Sequence, residues 1–485
     1  MKRNIAVILS GGAGSRLWPL SRLDEPKQFQ AFTDSLSLLS NTVKRADALA
    51  DIHEILVVCS ATHQSLVQQH TQPHTHKPVN YLLEPVARNT AAAITCAALH
   101  LQTQHPSQDV CMLVLPSDHH MSRQDLFEIA VQNALQAARL GHLVTFGIVA
   151  TKPDTGFGYI EMGSGLEGQQ VHRVERFVEK PTAERAQEML STGKYRWNSG
   201  MFVMQTALFL QEIERYDPPV TRACTSALAE AKHHTPFVSL AEKKFSLCPS
   251  ISVDNAVFER SDKVAVVSLD APWTDLGSWA AVADIQETTL GVSKNKAEVI
   301  SVNATQNYVR AAKTVAIIGV SDIVVVDTVD ALLITHRDNT QDVKDVVSTL
   351  NKNKSQLATG HTRVRRPWGT YESIGNGEQH QVKHIVVQPG GRLSLQSHEH
   401  RAEHWVVVSG IATITVGDHT ANYEVGQHAY ILKGQKHRLE NHTKTPVAIV
   451  EVQIGGYLGE DDIQRFDDVY GRLTDSKTIE TTIEA

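Results

Sequence analysis

Cysteine is scarce in this chain of 485 residues: there are five, Cys59, Cys96, Cys111, Cys224 and Cys248, odd in number, widely spaced and absent beyond residue 248. That argues against a disulfide scaffold or a cysteine metal site and predicts the buried, reduced thiols of a cytoplasmic protein. Long hydrophobic runs are missing as well. No stretch reaches the roughly 18 apolar residues of a spanning helix, and the N-terminal run Ile5 to Leu9 is too short for a signal-peptide core. The net charge of −7 comes from 53 acidic and 46 basic residues with no long block of either sign. A general nucleic-acid surface is therefore not expected, nor is a membrane partner, and any anion-binding site must be local. With 41% hydrophobic and 20% charged residues the composition is that of a globular protein, and the length calls for two or three domains.

What is present begins with residues 9 to 27, LSGGAGSRLWPLSRLDEPK, a glycine-rich turn directly after an apolar run. Gly11, Gly12 and Gly14 lack a β-carbon, so the backbone can turn sharply and bring its N–H groups to phosphate oxygens, while Arg16 and Lys27 supply fixed positive charge. The segment can hold a triphosphate. It is not a Walker loop, because no Gly-Lys-Ser/Thr closes it, and it is a poor dinucleotide fingerprint, because the third glycine of that pattern would fall at Leu17.

Four textures divide the chain. From 1 to 285, β-branched apolar runs such as IAVIL and VCMLVLP alternate with helical stretches such as LFEIAVQNALQAARL, which predicts crossover units and a mostly parallel, Rossmann-like α/β sheet. Nucleotides bind such sheets outside the carboxyl ends of the strands, where the glycine turn and LPSDH (115–119) would both lie. Residues 286–350 hold several short β runs, a small β domain for which a short β-helix is one reading although no strict period is visible, and then a helix from Asp338 to Leu350. The polar stretch 351–362 is the preferred linker. From 363 to 485 the pattern changes to many short period-two strands, an antiparallel barrel or double-sheet roll. There Gln396, His398 and His400 alternate, so on one strand all three would share a face, which is costly unless something binds them.

The blocks GGAGSRLWPLSR with PKQF, EPVARNTAAAI (84–94), LPSDH, TGFGYIEMG (155–163), FVEKP (177–181), WNSGMF (197–202) and WTDLGSW (273–279) resemble, in order, the mannose-1-phosphate guanylyltransferases among the sugar-nucleotide pyrophosphorylases. SLQSHEHRAEHW with KGQKHRLEN is similar to the two cupin motifs and to the type II phosphomannose isomerases. The resemblance implies a bifunctional enzyme of GDP-mannose synthesis, an α/β nucleotidyltransferase domain followed by a small β domain and an all-β cupin barrel. Its partners would be GTP, mannose 1-phosphate and mannose 6-phosphate, with self-association left open.

Joining a nucleoside triphosphate to a sugar phosphate concentrates negative charge that must be neutralised. By the resemblance, Asp118 and Asp275 hold Mg²⁺ between phosphate oxygens, Arg16 and Lys27 stabilise the triphosphate and departing pyrophosphate, and Glu84, Arg88 and Asn89 help form the nucleotide pocket. Glu179, Lys180, Asn198 and Gly200 are implied for the sugar phosphate. In the barrel the implied metal set is Gln396, His398, Glu403 and His437, with His400 and His404 as competing candidates, and its mixed nitrogen and oxygen donors suit Zn²⁺ or another divalent first-row ion. Arg401 would hold the 6-phosphate or steady an enediolate oxygen. The isomerase base stays open between His404, Glu399 and Lys383. Two rivals stand beside this reading: a guanylyltransferase with a regulatory or structural cupin, and a nucleotide-sugar sensor without catalysis, against which Lys27, Asp118 and Lys180 all speak.

Overall fold

A computed structural model describes the backbone of residues 2–12, 14–166, 170–290 and 298–467, and the side chains of all of these except 286–290. The chain forms two compact units, Met1–Thr359 and Gly360–Ala485.

The first unit is built on an 11-stranded sheet. Its N-terminal half is parallel: strand Lys2–Ser10 lies between Glu54–Ser60 and Asp109–Pro116, with Val79–Glu84 beyond the former. Ile5 to Ile8 are wholly buried because both faces are covered, as a continuous apolar run in a parallel sheet requires. Alternate residues feed different cores: Ala6, Ile8 and Val57 face one, while Ile5, Val7 and Val58 face the other. The second core is closed by helix Asn89–Gln104, whose alanine-rich sequence brings it close against helix Pro218–Ala229. The other half of the sheet is mixed. Strand Tyr195–Gln205 runs antiparallel between Asp109–Pro116 and Leu143–Val149, and Tyr159–Gly165 pairs antiparallel with Val171–Val178. The connection between these last two is too short for a crossover, so only the antiparallel pairing is open to them.

Residues 299–336 form the small β domain. Each parallel strand lies sixteen residues on from its partner, Val299 opposite Val315 and Tyr308 opposite Val324. The β-helix period thus exists in the register although the sequence shows none. Helix Val343–Lys352 follows a 3-10 turn at Arg337–Asp342. The stretch read as a linker, 351–362, holds the end of this helix and a further turn, Gln356–Ala358, and Trp18 Nε1 donates to Leu357 O at 3.0 Å.

The second unit is a double-sheet roll of six and five strands around Trp368, Trp405, Ile414, Leu439 and Ile449. The expected order of an α/β domain, a small β domain and an all-β unit is the order found.

Candidate active sites

In the first unit, the turn after strand Lys2–Ser10 places Gly12 at φ +92° and Gly14 at φ +58°. A Cβ on Gly14 would stand 2.5 Å from the Cβ of Lys27, so glycine is what lets the lysine segment pass beneath the turn. Lys27 is only 6% exposed. Its Nζ donates to Asp118 Oδ2 at 2.8 Å and also to the carbonyl of Asp275. Asp118 follows strand Asp109–Pro116, and Trp273–Thr274 pairs antiparallel with His120–Met121, a ladder that runs on toward Asp275 beside His119. One buried ammonium therefore gathers the two acids named from the sequence. Burial opposes ionisation of Asp118, but Lys27 and His119 hold its carboxyl below the ordinary value. Burial pushes the His119 imidazole down to about 4 against the pull of Asp118. Trp273 Nε1 donates to His119 Nδ1 at 3.3 Å, which requires a lone pair there. Asp275 Oδ1 accepts from Gly277 N at 3.0 Å. Asp118 Oδ1 lies 3.9 Å from His119 Nε2, and it and Asp275 Oδ2 are the oxygens that can meet a hard cation. Arg16 and Asp275 line a cleft of about 910 Å³, together with Phe157, Trp197 and Trp273.

Glu84 ends strand Val79–Glu84, where burial pushes its carboxyl up to about 7 and leaves Oε1 without a partner. Arg88 turns to the protein, donating Nη2 to Ser246 O at 2.6 Å, and Asn89, at φ +65°, accepts from Thr90 N. Of the residues expected to meet the sugar phosphate, Glu179 and Lys180 form an exposed ion pair of 3.1 Å. Three of the four hydrogen-bonding positions of the Asn198 amide are used: Oδ1 accepts from Thr145 Oγ1 at 3.2 Å and Gly200 N at 3.3 Å, and Nδ2 donates one hydrogen to Asp254 Oδ1 at 2.8 Å. Gly158 is where Glu179 and Asn198 converge, since a Cβ there would lie 2.6 Å from Glu179 Oε2. Asp254, not singled out from the sequence, joins this cluster, and burial, with Glu179 adding to it, pushes its carboxyl up to about 6. The signal was an acid two positions before the buried run Ala256, Val257 and Phe258.

In the second unit, His398, Glu403 and His437 are buried and bring donor atoms within 4.8 Å of one another, the one such group of three among the described residues. Glu403 Oε1 lies 3.2 Å from His398 Nε2, and Glu403 Oε2 lies 3.5 Å from His437 Nε2. His437 Nδ1 is 2.9 Å from Gln435 O, which fixes the tautomer and aims the Nε2 lone pair inward, where it is buried and has no hydrogen-bond partner. Gln396 is directly opposite His437 across the ladder, with Oε1 accepting from Ser394 Oγ. An orphaned imidazole nitrogen facing a carboxylate and a second imidazole is a donor set that could hold a divalent metal. Although burial opposes it, His398, His437 and Arg401 hold the Glu403 carboxyl far below its ordinary range, and burial lowers His437.

His400 does not share the face of Gln396 and His398. The strand ends at His398, and the chain bends so that His400 is exposed with Nδ1 2.7 Å from Asp462 Oδ1. His404 alternates with the inward Glu403 and Trp405 and stacks on Tyr430 at 4.2 Å. Glu399 is exposed and bonds Asp462 through its backbone. Of the three base candidates only Lys383 lines the cavity of about 70 Å³ that contains Gln396, Arg401 and Glu403. Burial would lower its amine, but Glu451 and Glu460 raise it. Arg401 is buried and pinned, Nε to Glu403 Oε1 at 3.0 Å and Nη1 to Gly459 O at 2.9 Å. Glu451 and Gln453 were missed. They link to Glu403 through Trp405 Nε1 and Gln453 Nε2, and two polar residues at alternate positions of the apolar run VAIVEVQI were their signal.

Residues 5–291 match the nucleotidyl transferase family, 297–350 the MannoseP isomerase/GMP-like beta-helix domain and 352–468 the mannose-6-phosphate isomerase C-terminal family. The alginate biosynthesis protein AlgA of Pseudomonas aeruginosa is 43% identical over 473 residues, covering 97% of this chain and 98% of its own. The mannose-1-phosphate guanylyltransferase of Escherichia coli is 42% identical over 471 residues, covering 96% and 98%. A crystal structure of a mannose-1-phosphate geranyltransferase from Thermus thermophilus superposes with a TM-score of 0.62 at 30% identity, covering 72% of this chain and 99% of that one.

Proposed function

The chain belongs to the mannose-1-phosphate guanylyltransferase family, here with nucleotidyl transferase and mannose-6-phosphate isomerase domains in one polypeptide, and from that premise we propose that it runs both reactions. In the first unit GMP passes from GTP to mannose 1-phosphate, giving GDP-mannose and pyrophosphate. In the second, mannose 6-phosphate and fructose 6-phosphate interconvert. The relatives named for alginate and xanthan biosynthesis support a product destined for polysaccharide. GTP and sugar phosphates as substrates, with five free, buried thiols, support a cytoplasmic setting.

For transfer, an oxygen of mannose 1-phosphate attacks the α-phosphorus in line while pyrophosphate leaves. Mg²⁺ held by Asp118 and Asp275 would supply charge neutralisation between the phosphates. Lys27 keeps Asp118 ionised and fixes its distance from Asp275, the glycine turn offers backbone N–H groups, and Arg16 faces the phosphates from the cleft. Asn198 orients Asp254 and keeps one amide N–H for the sugar, while Asp254 and Glu179 are the acceptors for sugar hydroxyls, with Lys180 for the 1-phosphate. Glu84, with Arg88 and Asn89 nearby in sequence, remains on the nucleotide side.

For isomerisation, Zn²⁺ or another divalent first-row ion held by His398, Glu403, His437 and Gln396 would polarise the substrate carbonyl. Arg401, pinned beside that set, steadies negative charge on the neighbouring oxygen. Lys383, kept protonated by its acidic neighbours, contributes charge rather than removing the proton.

The observation that carries the reading is the convergence of distant residues in each unit, Lys27 on Asp118 and Asp275, and His398 and His437 on Glu403. Pyrophosphate release by the purified chain, offered each of the four nucleoside triphosphates with mannose 1-phosphate, tests the first half. No release with any of them would refute it. Failure to interconvert the 6-phosphates with any divalent ion would leave the second unit as a non-catalytic cupin.

A further inference from the structure

The turn Ser15–Leu17 that carries Arg16 is not supported by the nucleotidyl transferase domain alone. Leu17 and Trp18 are buried in a core completed by Tyr308, Val324, Val326 and Leu333 of the small β domain and by Val343 after it. Trp18 O accepts from Trp279 Nε1 at 2.9 Å, and Arg22, itself buried, makes a two-pronged ion pair with Asp330 at 2.7 and 2.5 Å. At the exposed rim of this dock Arg16 Nη1 donates to Gln341 Oε1 at 3.0 Å, across 325 residues of sequence. Both side chains line the cleft that Asp275 also lines. Gln341 is in turn held by the 3-10 turn Arg337–Asp342, whose Thr340 is 2% exposed and donates Oγ1 to Arg337 O at 3.0 Å.

We infer that Gln341 is a positioning residue of the transferase: its amide oxygen holds the Arg16 guanidinium toward the triphosphate, which makes the turn that follows the small β domain part of the GTP site. An exposed arginine samples many rotamers, and ordering it when substrate arrives costs binding free energy. One N–H given to a neutral acceptor restricts the guanidinium and leaves its charge and its remaining donors for phosphate. Neutrality matters, because a carboxylate in the same place would cancel the charge that the phosphates need. The inference rests on the reading of Arg16 as a phosphate ligand, so the test separates the two.

Pyrophosphate-release kinetics of the full chain are compared for Gln341→Met, Gln341→Ala, Gln341→Glu, Arg16→Ala and the double variant Arg16→Ala/Gln341→Met. Gln341→Met keeps the length and loses the acceptor. It and Gln341→Ala are expected to raise the KM for GTP roughly three- to tenfold and to leave the KM for mannose 1-phosphate unchanged. In the Arg16→Ala background the same substitution changes nothing further. Gln341→Glu, which can still accept the hydrogen bond, raises the KM for GTP more than Gln341→Ala does, an order that a merely structural role does not produce. An unchanged or lowered KM for GTP in Gln341→Met and Gln341→Ala, while Arg16→Ala raises it, overturns the inference and spares the site. Equal losses for both substrates with a lowered melting temperature overturn it as well. An Arg16→Ala enzyme with unaltered KM for GTP removes the underlying reading of Arg16.

Discussion

Lys27 is worth most at its nitrogen: a single ammonium, buried and bonded to both the Asp118 carboxylate and the Asp275 carbonyl, sets the spacing of the two acids. Lys27→Met leaves Asp118 without its counter-charge, and Asp118→Asn removes an anionic oxygen. Each is expected to lower pyrophosphate release by about two to three orders of magnitude, with isomerisation of mannose 6-phosphate unchanged in the same preparation. Loss of both activities in a folded variant would show that the two sites are not separate. Asp254 gives a pH signature. Its carboxyl is raised from 3.8 to about 6, so the folded protein binds that proton more tightly than the unfolded chain. The contribution is full below the ordinary value and is lost as the pH rises through about 6. Asp254→Asn keeps an acceptor for Asn198 and cannot titrate, so denaturant midpoints of the variant should fall less steeply across that window, by up to about 3 kcal/mol. Parallel curves for the two proteins would mean that Asp254 ionises freely.

At the scale of elements, the glycine turn and the lysine segment are one device. Gly14→Ala meets two obstacles, a left-handed φ of +58° and the Cβ of Lys27 at 2.5 Å. It should cost about 1–2 kcal/mol of stability, read from thermal melts, and lower transfer further than that loss explains, because Lys27 must move. A variant with normal kinetics would show that the turn tolerates the shift. In the roll, strand His437–Glu440 carries one of the proposed metal donors and Arg401–Ser409 another. His437→Ala removes the nitrogen that has no other partner, so metal content measured on the purified chain should drop along with isomerase activity, while GTP-dependent transfer persists. The elements themselves were largely readable, because burial on two faces produces unbroken apolar runs and burial on one face produces alternation. The antiparallel insertion of Tyr195–Gln205 and the sixteen-residue register of the β-helix were not, since neither leaves a local pattern.

At the scale of the whole molecule, two units with separate donor chemistry predict separable metal dependence. After treatment with a strong chelator both activities should be lost. Mg²⁺ alone should then restore transfer, and a divalent first-row ion should restore isomerisation, because oxygen donors suit the first and imidazole nitrogens the second. Recovery of both with Mg²⁺ alone would contradict the donor assignment in the roll.

The sequence alone marked candidate residues for the chemistry, because glycine turns, strand-end acids and alternating histidines are constraints felt within a few residues of chain. It also determined the order of textures from α/β to all-β. The tertiary structure alone decided which of those residues meet. Lys27 reaches Asp275 over 248 residues and Arg16 reaches Gln341 over 325, and such contacts follow from how buried surfaces pack rather than from any local periodicity. The same holds where local pattern misled: His400 continues the alternation in sequence, but the strand has already ended at His398, and hydrogen bonds to Asp462 turn it outward.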